Sequence, residues 1–539
     1  MKTLDRIRAQ VSAHPERPAY RAGDDYVTYG SLWMRAERAA RDLIRLIRLN
    51  MPDGAVPADS SPGSLPGTLP GTLPGPAPVL VSAEKSPDAA VALIACLMAG
   101  IPYVPVLPST PPARLRSVLA LTGARLLIAD DNFPLPLSPA ADRASSPIRV
   151  PLSGIGSSPA DPGEEGDPAA APGFSPSRYA YVLFTSGSTG EPKGVPVFRE
   201  SLDNFTDWIS SLAPPAPPNG YGNLTVLNQA PFSFDLSVAD FYYALTNGHT
   251  AAAFRNDEEL ARLLSEADAA VMTPTFLRML LLDGDFRAER YPRLKCVFLC
   301  GETLPPAAAR KALDAFPDLV LLNAYGPTEA CCAVCAIRIT KEMAETMPVL
   351  PVGDLSSAAA DISAEGSEGA DEADGADGAD GENGEIVLRG KSVFGGYLGG
   401  EAGGHFREGN TNCYRTGDLG RIEHRAHGGD LLFCSGRKDG QIKYKGYRIE
   451  LHDIEANLAA LPGVTACAVT VRRGREGEVS AIRAFVEAAG ADGTLTSERL
   501  KTALAERLPD YMIPKVIRVL DRLPVTENGK TDRKALERL

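Results

Sequence analysis

Histidine is scarce. The 539 residues include six, His14, His249, His405, His424, His427 and His452. None stands in a recognisable catalytic pattern, which argues against chemistry built on a histidine general base. No apolar run is long enough to cross a bilayer. The longest, Ala89 to Met98, gives way to Gly100, Pro102 and Pro105 and suits a buried helix followed by a strand. The first residues, Met1-Lys2-Thr3-Leu4-Asp5-Arg6-Ile7-Arg8, carry scattered charges with no apolar stretch behind them. No signal peptide is therefore expected, and the chain reads as cytoplasmic and not membrane-spanning. A dense basic tract with interleaved aromatics is also missing, so no nucleic-acid partner is expected. Nine cysteines lack the spacing of a disulfide framework and are expected to stay reduced. Cys331, Cys332 and Cys335 contain one C-x-x-C, but no second pair follows at a zinc-site spacing. They read as small buried hydrophobes.

The composition is that of an ordinary soluble globular chain, 44% hydrophobic and 23% charged, long enough for several domains. The net charge of −13 is unevenly placed. Asp354 to Gly384 holds ten acidic residues and no Lys or Arg, so the rest of the chain is near −3. Arg437 to Leu539 holds 19 basic and 15 acidic residues, a surplus of +4 that weakly favours an acidic partner. Two low-complexity stretches, about 51–78 and 356–384, read as disordered surface insertions because neither can bury enough apolar surface to offset the entropy of ordering. A third polar, Pro-rich stretch covers about 138–177.

Between these stretches short apolar runs alternate with amphipathic ones. Tyr179 to Thr185, Ala269 to Met272, Cys296 to Cys300 and Val320 to Asn323 are strand-like, and Asp257 to Ala267 and Pro306 to Phe316 are helix-like. That alternation predicts a large α/β domain over 1–437, mainly parallel sheets with flanking helices. From 438 to 539 the pattern is that of a compact α+β unit, with strands at Gln441 to Tyr444, near Ala466 to Arg472 and Ile482 to Glu487, and a helix at Thr496 to Leu508.

Five loops carry the candidate chemistry. The sharpest is Thr185-Ser186-Gly187-Ser188-Thr189-Gly190-Glu191-Pro192-Lys193-Gly194, directly after a strand. Its glycines allow close backbone approach, its hydroxyls donate to phosphate oxygens, and Lys193 adds positive charge. It is not a Walker A loop, since Pro192 precedes the lysine and no Ser or Thr follows it. A flexible Gly/Ser surface loop is the bland alternative. The second loop, Asn323-Ala324-Tyr325-Gly326-Pro327-Thr328-Glu329, offers an amide, an aromatic face, a hydroxyl and a carboxylate, or else a plain Gly-Pro turn. The third holds Asp418 after the tight turn at Gly417, where it can accept from two ribose hydroxyls or simply form the turn. The fourth, Gly436-Arg437-Lys438-Asp439-Gly440-Gln441-Ile442-Lys443, lies at the junction of the two domains. The last places Lys530 just after the Asn528-Gly529 turn, a position that also suits an ordinary surface lysine.

In this order the five motifs resemble the adenylate-forming superfamily of acyl-CoA synthetases, luciferases and adenylation domains. The resemblance covers nearly the whole chain, beginning at Thr28-Tyr29-Gly30-Ser31-Leu32. It implies a small β-barrel-like part within the large domain and a mobile small domain. It also implies ATP and Mg²⁺ as cofactors, with nucleotide binding by Thr185, Ser186, Gly187, Ser188, Thr189, Gly190, Lys193, Asn323, Ala324, Tyr325, Gly326, Thr328, Asp418, Arg437 and Lys530. By the same resemblance Glu329 holds the metal, Lys530 is the catalytic lysine and Asp439 is the hinge. Asp235, within Phe232-Ser233-Phe234-Asp235-Leu236-Ser237-Val238, marks the amino-acid-activating members, where it pairs with the α-ammonium; a helix N-cap is its plain alternative.

Three segments look most like the D-alanine–D-alanyl carrier protein ligases. They are Phe232 to Asp240, Met272-Thr273-Pro274-Thr275-Phe276, and Phe298-Leu299-Cys300-Gly301-Glu302. This resemblance implies D-alanine as substrate, with Asp235, Cys300 and Val334 around it. The partner implied is an acidic carrier protein, met in trans, whose phosphopantetheine thiol takes the alanyl group on its way to teichoic acids. A stand-alone adenylation enzyme for another small amino acid is the nearest alternative, and an acyl- or aryl-CoA synthetase is a further one that Asp235 disfavours.

Overall fold

The computed structural model describes all residues except 51–72, 74, 135–146, 158–167, 169–173, 188–189, 213–222, 366–382, 400–402, 427, 475–477, 489–494 and 526–530. Most of the three low-complexity stretches, and with them Ser188, Thr189 and Lys530, lie outside the described residues.

Two sheets make the body of the large domain. One has eight strands in the order Cys335–Ile339, Val320–Tyr325, Cys296–Leu299, Ala269–Met272, Thr225–Asn228, Thr250–Ala253, Pro18–Ala22 and Asp25–Thr28. Its inner pairs are parallel and its two outermost pairs antiparallel. The other has six strands, Ile148–Val150, Leu126–Ile128, Val79–Ser82, Tyr103–Val106, Tyr179–Thr185 and Lys193–Phe198, parallel until the last pair.

The helix Pro87–Ala99 is apolar on all sides after its first turn and buried throughout from Ala89, as a helix enclosed between layers must be. Ser86 caps its N-terminus by accepting from the Ala89 N–H at 3.1 Å, and Gly100, at φ 68°, closes its C-terminus. It packs on strands of both sheets. A second enclosed helix, Leu236–Thr246, is also buried along its length. It lies on the eight-stranded sheet and reaches the six-stranded one through the Tyr242 hydroxyl, 2.8 Å from that of Tyr103.

A third, antiparallel sheet runs Gly353–Asp354, Leu431–Arg437, Thr411–Glu423, Gly384–Arg389 and Asp361–Glu365, with His405–Glu408 also paired to Thr411–Glu423. This is the barrel-like part. Residues 361–365 fall inside the stretch expected to be a disordered insertion over 356–384, yet they form a strand paired in register with Gly384–Arg389. Alternate residues in 361–365 still read as strand; the acidic repeat that follows masks them in a composition average.

The small domain is built on the strands Val464–Arg473, Val479–Ala488 and Val516–Leu520, with the helices Leu451–Ala459 and Ser497–Ala505. Its core includes Ile442, Ile449, Ile454, Leu458, Val469, Val486 and Leu504. No helix among the described residues is long and apolar enough to cross a membrane.

The Tyr103–Tyr242 pair joins two layers inside the core. Tyr242→Phe strands the Tyr103 hydroxyl, and we expect a loss of about 1–3 kcal/mol and a lower thermal midpoint. The double variant Tyr103→Phe/Tyr242→Phe, in which neither hydroxyl is left over, should recover most of that loss.

Candidate active site

Four of the five candidate loops, all but that of Lys530, converge where strands of the large domain end. Thr185 closes a strand and Lys193 opens the next, so the loop between them is pinned at both ends by the Thr185–Lys193 register. Gly187 lies against the Glu191 carbonyl so closely that a Cβ has no room. Gly190 takes φ 87°, a conformation open to glycine. The Lys193 ammonium lies 5.6 Å from the centre of the Tyr397 ring.

Asn323 and Tyr325 belong to the strand Val320–Tyr325 and are buried. The Asn323 amide donates to the Pro351 carbonyl at 2.8 Å, while its Oδ1 is buried without a partner among the described residues. An unpaired buried acceptor calls for a donor from outside the protein chain. Beyond Ala324 and Tyr325, Gly326 is required because a Cβ there would stand 2.5 Å from the Ala333 Cα. The Tyr325 hydroxyl donates to Asp418 Oδ2 at 2.7 Å, and Arg437 donates to Asp418 Oδ1 at 2.6 Å. Arg437 also makes a two-pronged contact with Asp439, 2.7 Å on each prong. Burial pushes Asp439 up, but the Arg437 guanidinium outweighs it and holds the carboxyl below its ordinary range. Arg437 thus fastens the ribose-site candidate to the junction residue.

Thr328 donates to Asp235 Oδ2 at 2.6 Å, bringing the nucleotide-loop and amino-acid candidates together. Burial raises the Asp235 carboxyl to about 6; Thr328 opposes the shift and the nearby Glu329 charge adds to it. Asp235 heads the helix Leu236–Thr246 but makes no side-chain cap, which sets aside its N-cap reading.

Glu329 is fully buried. Its Oε2 accepts from Arg448 at 2.6 Å, and Tyr397 donates to its Oε1. Burial works to raise it, but Arg448 and Tyr397 win and hold it below its ordinary value, so it is ionised. Arg448 was missed in the sequence. It comes from the hairpin Gln441–Tyr444/Tyr447–Glu450 of the small domain, whose turn runs through Lys445 at φ 53° and Gly446 at φ 84°. The hairpin enters the cleft at three further points. Ser186 Oγ donates to the Arg448 carbonyl at 3.0 Å and accepts from the Glu450 N–H at 2.9 Å. The Gly446 N–H donates to Glu302 at 2.7 Å. Alternation around a Lys-Gly turn was a legible hairpin signal; nothing in the sequence said where its arginine points.

Cys300 is buried and its thiol faces the Cys332 carbonyl at 3.9 Å. The Cys332 thiol is hydrogen-bonded to that of Cys300, which together with burial raises it. Cys331 and Cys332 sit at φ 62° and 79°, strained for non-glycine residues. Val334 is fully buried, its N–H on the Tyr325 carbonyl at 2.8 Å and its carbonyl accepting from Ala359 at 2.6 Å. Cys332, which the sequence reading left as packing, is the residue beside Cys300.

The main cleft, of about 690 Å³, is bordered by Thr185, Ser186, Lys193, Arg437, Asp439 and Arg448. A second opening of about 320 Å³ leads to Asp235 and Thr328 past Phe234, Tyr447 and Tyr511. The last two rings stack 3.8 Å apart. Among the described residues no three His, Cys, Asp or Glu side chains group to hold a metal.

Hydroxyls at Thr185 and Ser186 beside Lys193, a carboxylate at Asp418 and a separate buried carboxylate at Asp235 are groups of the kinds that can hold phosphate, a diol and an ammonium. Residues 71–398 match the family model for the AMP-binding enzyme, and residues 453–530 match the AMP-binding enzyme C-terminal domain. The chain belongs to the AMP-binding enzyme family. Among individual relatives, it is 34% identical over 557 residues to a Bacillus licheniformis protein named D-alanine–D-alanyl carrier protein ligase, covering 100% of this chain and 99% of that one. A Bacillus velezensis protein of the same name is 35% identical over 552 residues, with 99% of each covered. Of solved structures, the Vibrio cholerae adenylation domain AlmE, in complex with glycyl-adenosine-5′-phosphate, superposes with a TM-score of 0.75 at 21% identity, over 99% of this chain and 97% of that one. This last likeness is one of fold.

An ammonium binds Asp235 in its ionised form. With the carboxyl raised to about 6, amino-acid affinity should be full above that pH and fall as pH drops through it. The KM for the amino acid, measured from pH 5 to 8 in ATP–pyrophosphate exchange, should rise toward the acid end, and Asp235→Asn should flatten the profile at a high KM.

Proposed function

We propose that this protein activates D-alanine with ATP, releasing pyrophosphate, and passes the alanyl group from the adenylate to the phosphopantetheine thiol of an acidic carrier protein. The full-length relatives named for that reaction support it, as does a carboxylate at Asp235 placed for the substrate ammonium beside Thr328.

In this reading the substrate carboxylate attacks the α-phosphorus of ATP. Thr185, Ser186, Gly187, Ser188, Thr189, Gly190 and Lys193 hold the triphosphate. Tyr325 stacks on adenine between Ala324 and Gly326. The unpaired Asn323 Oδ1 takes the adenine amino group, Asp418 takes the ribose hydroxyls, and Thr328 reaches the α-phosphate. Lys530 bridges the two reacting anions. Their mutual repulsion is the barrier, and fixed cationic and N–H groups lower it. Glu329, held below its ordinary range, would hold Mg²⁺ once Arg448 withdraws from it, with phosphate oxygens as the further ligands; when bound the ion would neutralise phosphate charge.

The observation that carries the two-step reading is the Arg448–Glu329 contact. While Arg448 occupies this carboxylate the hairpin fills the phosphate end of the cleft, an arrangement suited to the transfer step after pyrophosphate has left. Rotation of the 438–539 domain about Asp439 would withdraw the hairpin and bring in Lys530. Carboxylate activation needs ATP, so the site of action is the cytoplasm.

The test is exchange with D-alanine against L-alanine, on wild type and Lys530→Ala. We expect a clear preference for D-alanine. Lys530→Ala should lose exchange but still load the carrier from supplied alanyl-adenylate, while Asp439→Pro should do the reverse. Equal rates with both enantiomers would remove the D-alanine assignment.

A further inference from the structure

Lys85 is a half-buried cation held by carbonyl groups. It lies in the turn between the strand Val79–Ser82 and the helix Pro87–Ala99. Its ammonium crosses to the other sheet and donates to the backbone carbonyls of Asn228 at 3.1 Å and Gln229 at 2.7 Å. Its remaining side faces the Phe254 ring, 4.6 Å from the centre. Asn228 extends the grip. Its amide donates to the Ala230 carbonyl at 3.1 Å and to Asp240 Oδ1 at 2.8 Å, and its Oδ1 accepts from the Tyr20 hydroxyl at 3.3 Å.

Three successive carbonyls, those of residues 228 to 230, are therefore satisfied by side chains where the strand Thr225–Asn228 ends. A buried backbone leaving its ladder needs such partners. For Asn228 and Gln229 the partner, Lys85, comes from a separate part of the fold; for Ala230 it is the neighbouring Asn228 side chain. The loop that starts at this clasp ends at Asp235, and a turn from the Phe234 N–H to the Pro231 carbonyl, 2.9 Å, keeps its path short. Asp240, five residues beyond Asp235, is completely buried, and burial pushes its carboxyl well up against the Asn228 hydrogen bond and the Lys85 charge. Desolvation lowers Lys85 to about 8, and the Asp240 carboxylate opposes that shift. Among the described residues, the polar and ring contacts of Lys85 are with Asn228, Gln229 and Phe254, none of them a nucleotide-site candidate.

We propose that Lys85 is a positioning residue for the amino-acid substrate: by gripping the Asn228 and Gln229 carbonyls it sets where Asp235 stands, and so governs affinity for the substrate ammonium. The inference rests on Asp235 being the ammonium site. Small displacements of a positioning group carry large rate and affinity penalties.

The experiment is ATP–pyrophosphate exchange with the full chain, varying D-alanine and ATP separately. Lys85→Met should raise the D-alanine KM about tenfold or more and leave the ATP KM within about twofold. Lys85→Arg, whose guanidinium fork can reach both carbonyls, should recover most of the loss. An unchanged D-alanine KM in Lys85→Met, or equal changes in both KM values, overturns the proposal. Should Lys85→Met not fold, Tyr20→Phe loosens the same clasp from its other end and should show the same selective rise in smaller degree; no selective rise there overturns it equally. Asp235→Asn separates the two layers of the argument. If it raises the D-alanine KM while Lys85→Met does not, only the role of Lys85 fails. If Asp235→Asn has no effect, the ammonium site fails and takes the role of Lys85 with it.

Discussion

Glu329 is buried to exclusion of solvent, and an ionised carboxylate in that position must have a cation. The cation here is Arg448, delivered by another domain. Removing one partner of such a pair while the other stays buried costs about 3–5 kcal/mol, so withdrawal of Arg448 favours the arrival of water or another cation at Glu329. A nucleotide-bound metal ion is a natural replacement. The same carboxylate can thus serve both steps, reporting through its partner which step the site is set for. Its charge also reaches Asp235, whose carboxyl it helps to raise, so the electrostatics of the nucleotide and amino-acid subsites are linked through one residue.

Much of this was legible in the chain. The short apolar runs at Ala269, Cys296 and Val320 are parallel strands because both sheet faces are covered, which removes the polar alternation an exposed face would impose. The Gly-rich segment after Thr185 was readable because glycine is required there by close backbone packing, at Gly187 against Glu191. Pairings across domains were not legible. Arg448 lies 119 residues from Glu329, and nothing local to either residue specifies the contact. Cys331, Cys332 and Cys335 are buried and form no disulfide, as small hydrophobes would be, but nothing local to Cys332 says that Cys300 is its neighbour.

The two enclosed helices explain how a site assembled from separate sheets keeps its dimensions. Pro87–Ala99 and Leu236–Thr246 are buried on every side, so neither can shift without opening a void. Polar links cross the same layer, Tyr103 to Tyr242 and Lys85 to the carbonyls of Asn228 and Gln229. Apolar packing fixes the spacing of the layers, and directional hydrogen bonds fix their register.

The strand Asp361–Glu365 pairs five residues against Gly384–Arg389, antiparallel, with the acidic Gly-Ala-Asp repeat joining them. The entropic cost of closing such a connection grows with the logarithm of its length, about 0.6 kcal/mol for each doubling. A hairpin already closed by its own ladder can therefore accept repeat units one after another at diminishing cost. Neither cleft is lined by residues of the Asp361–Glu365 strand. Seven acidic residues between Glu365 and Gly384 thus add to the net charge at a small cost in closing the connection.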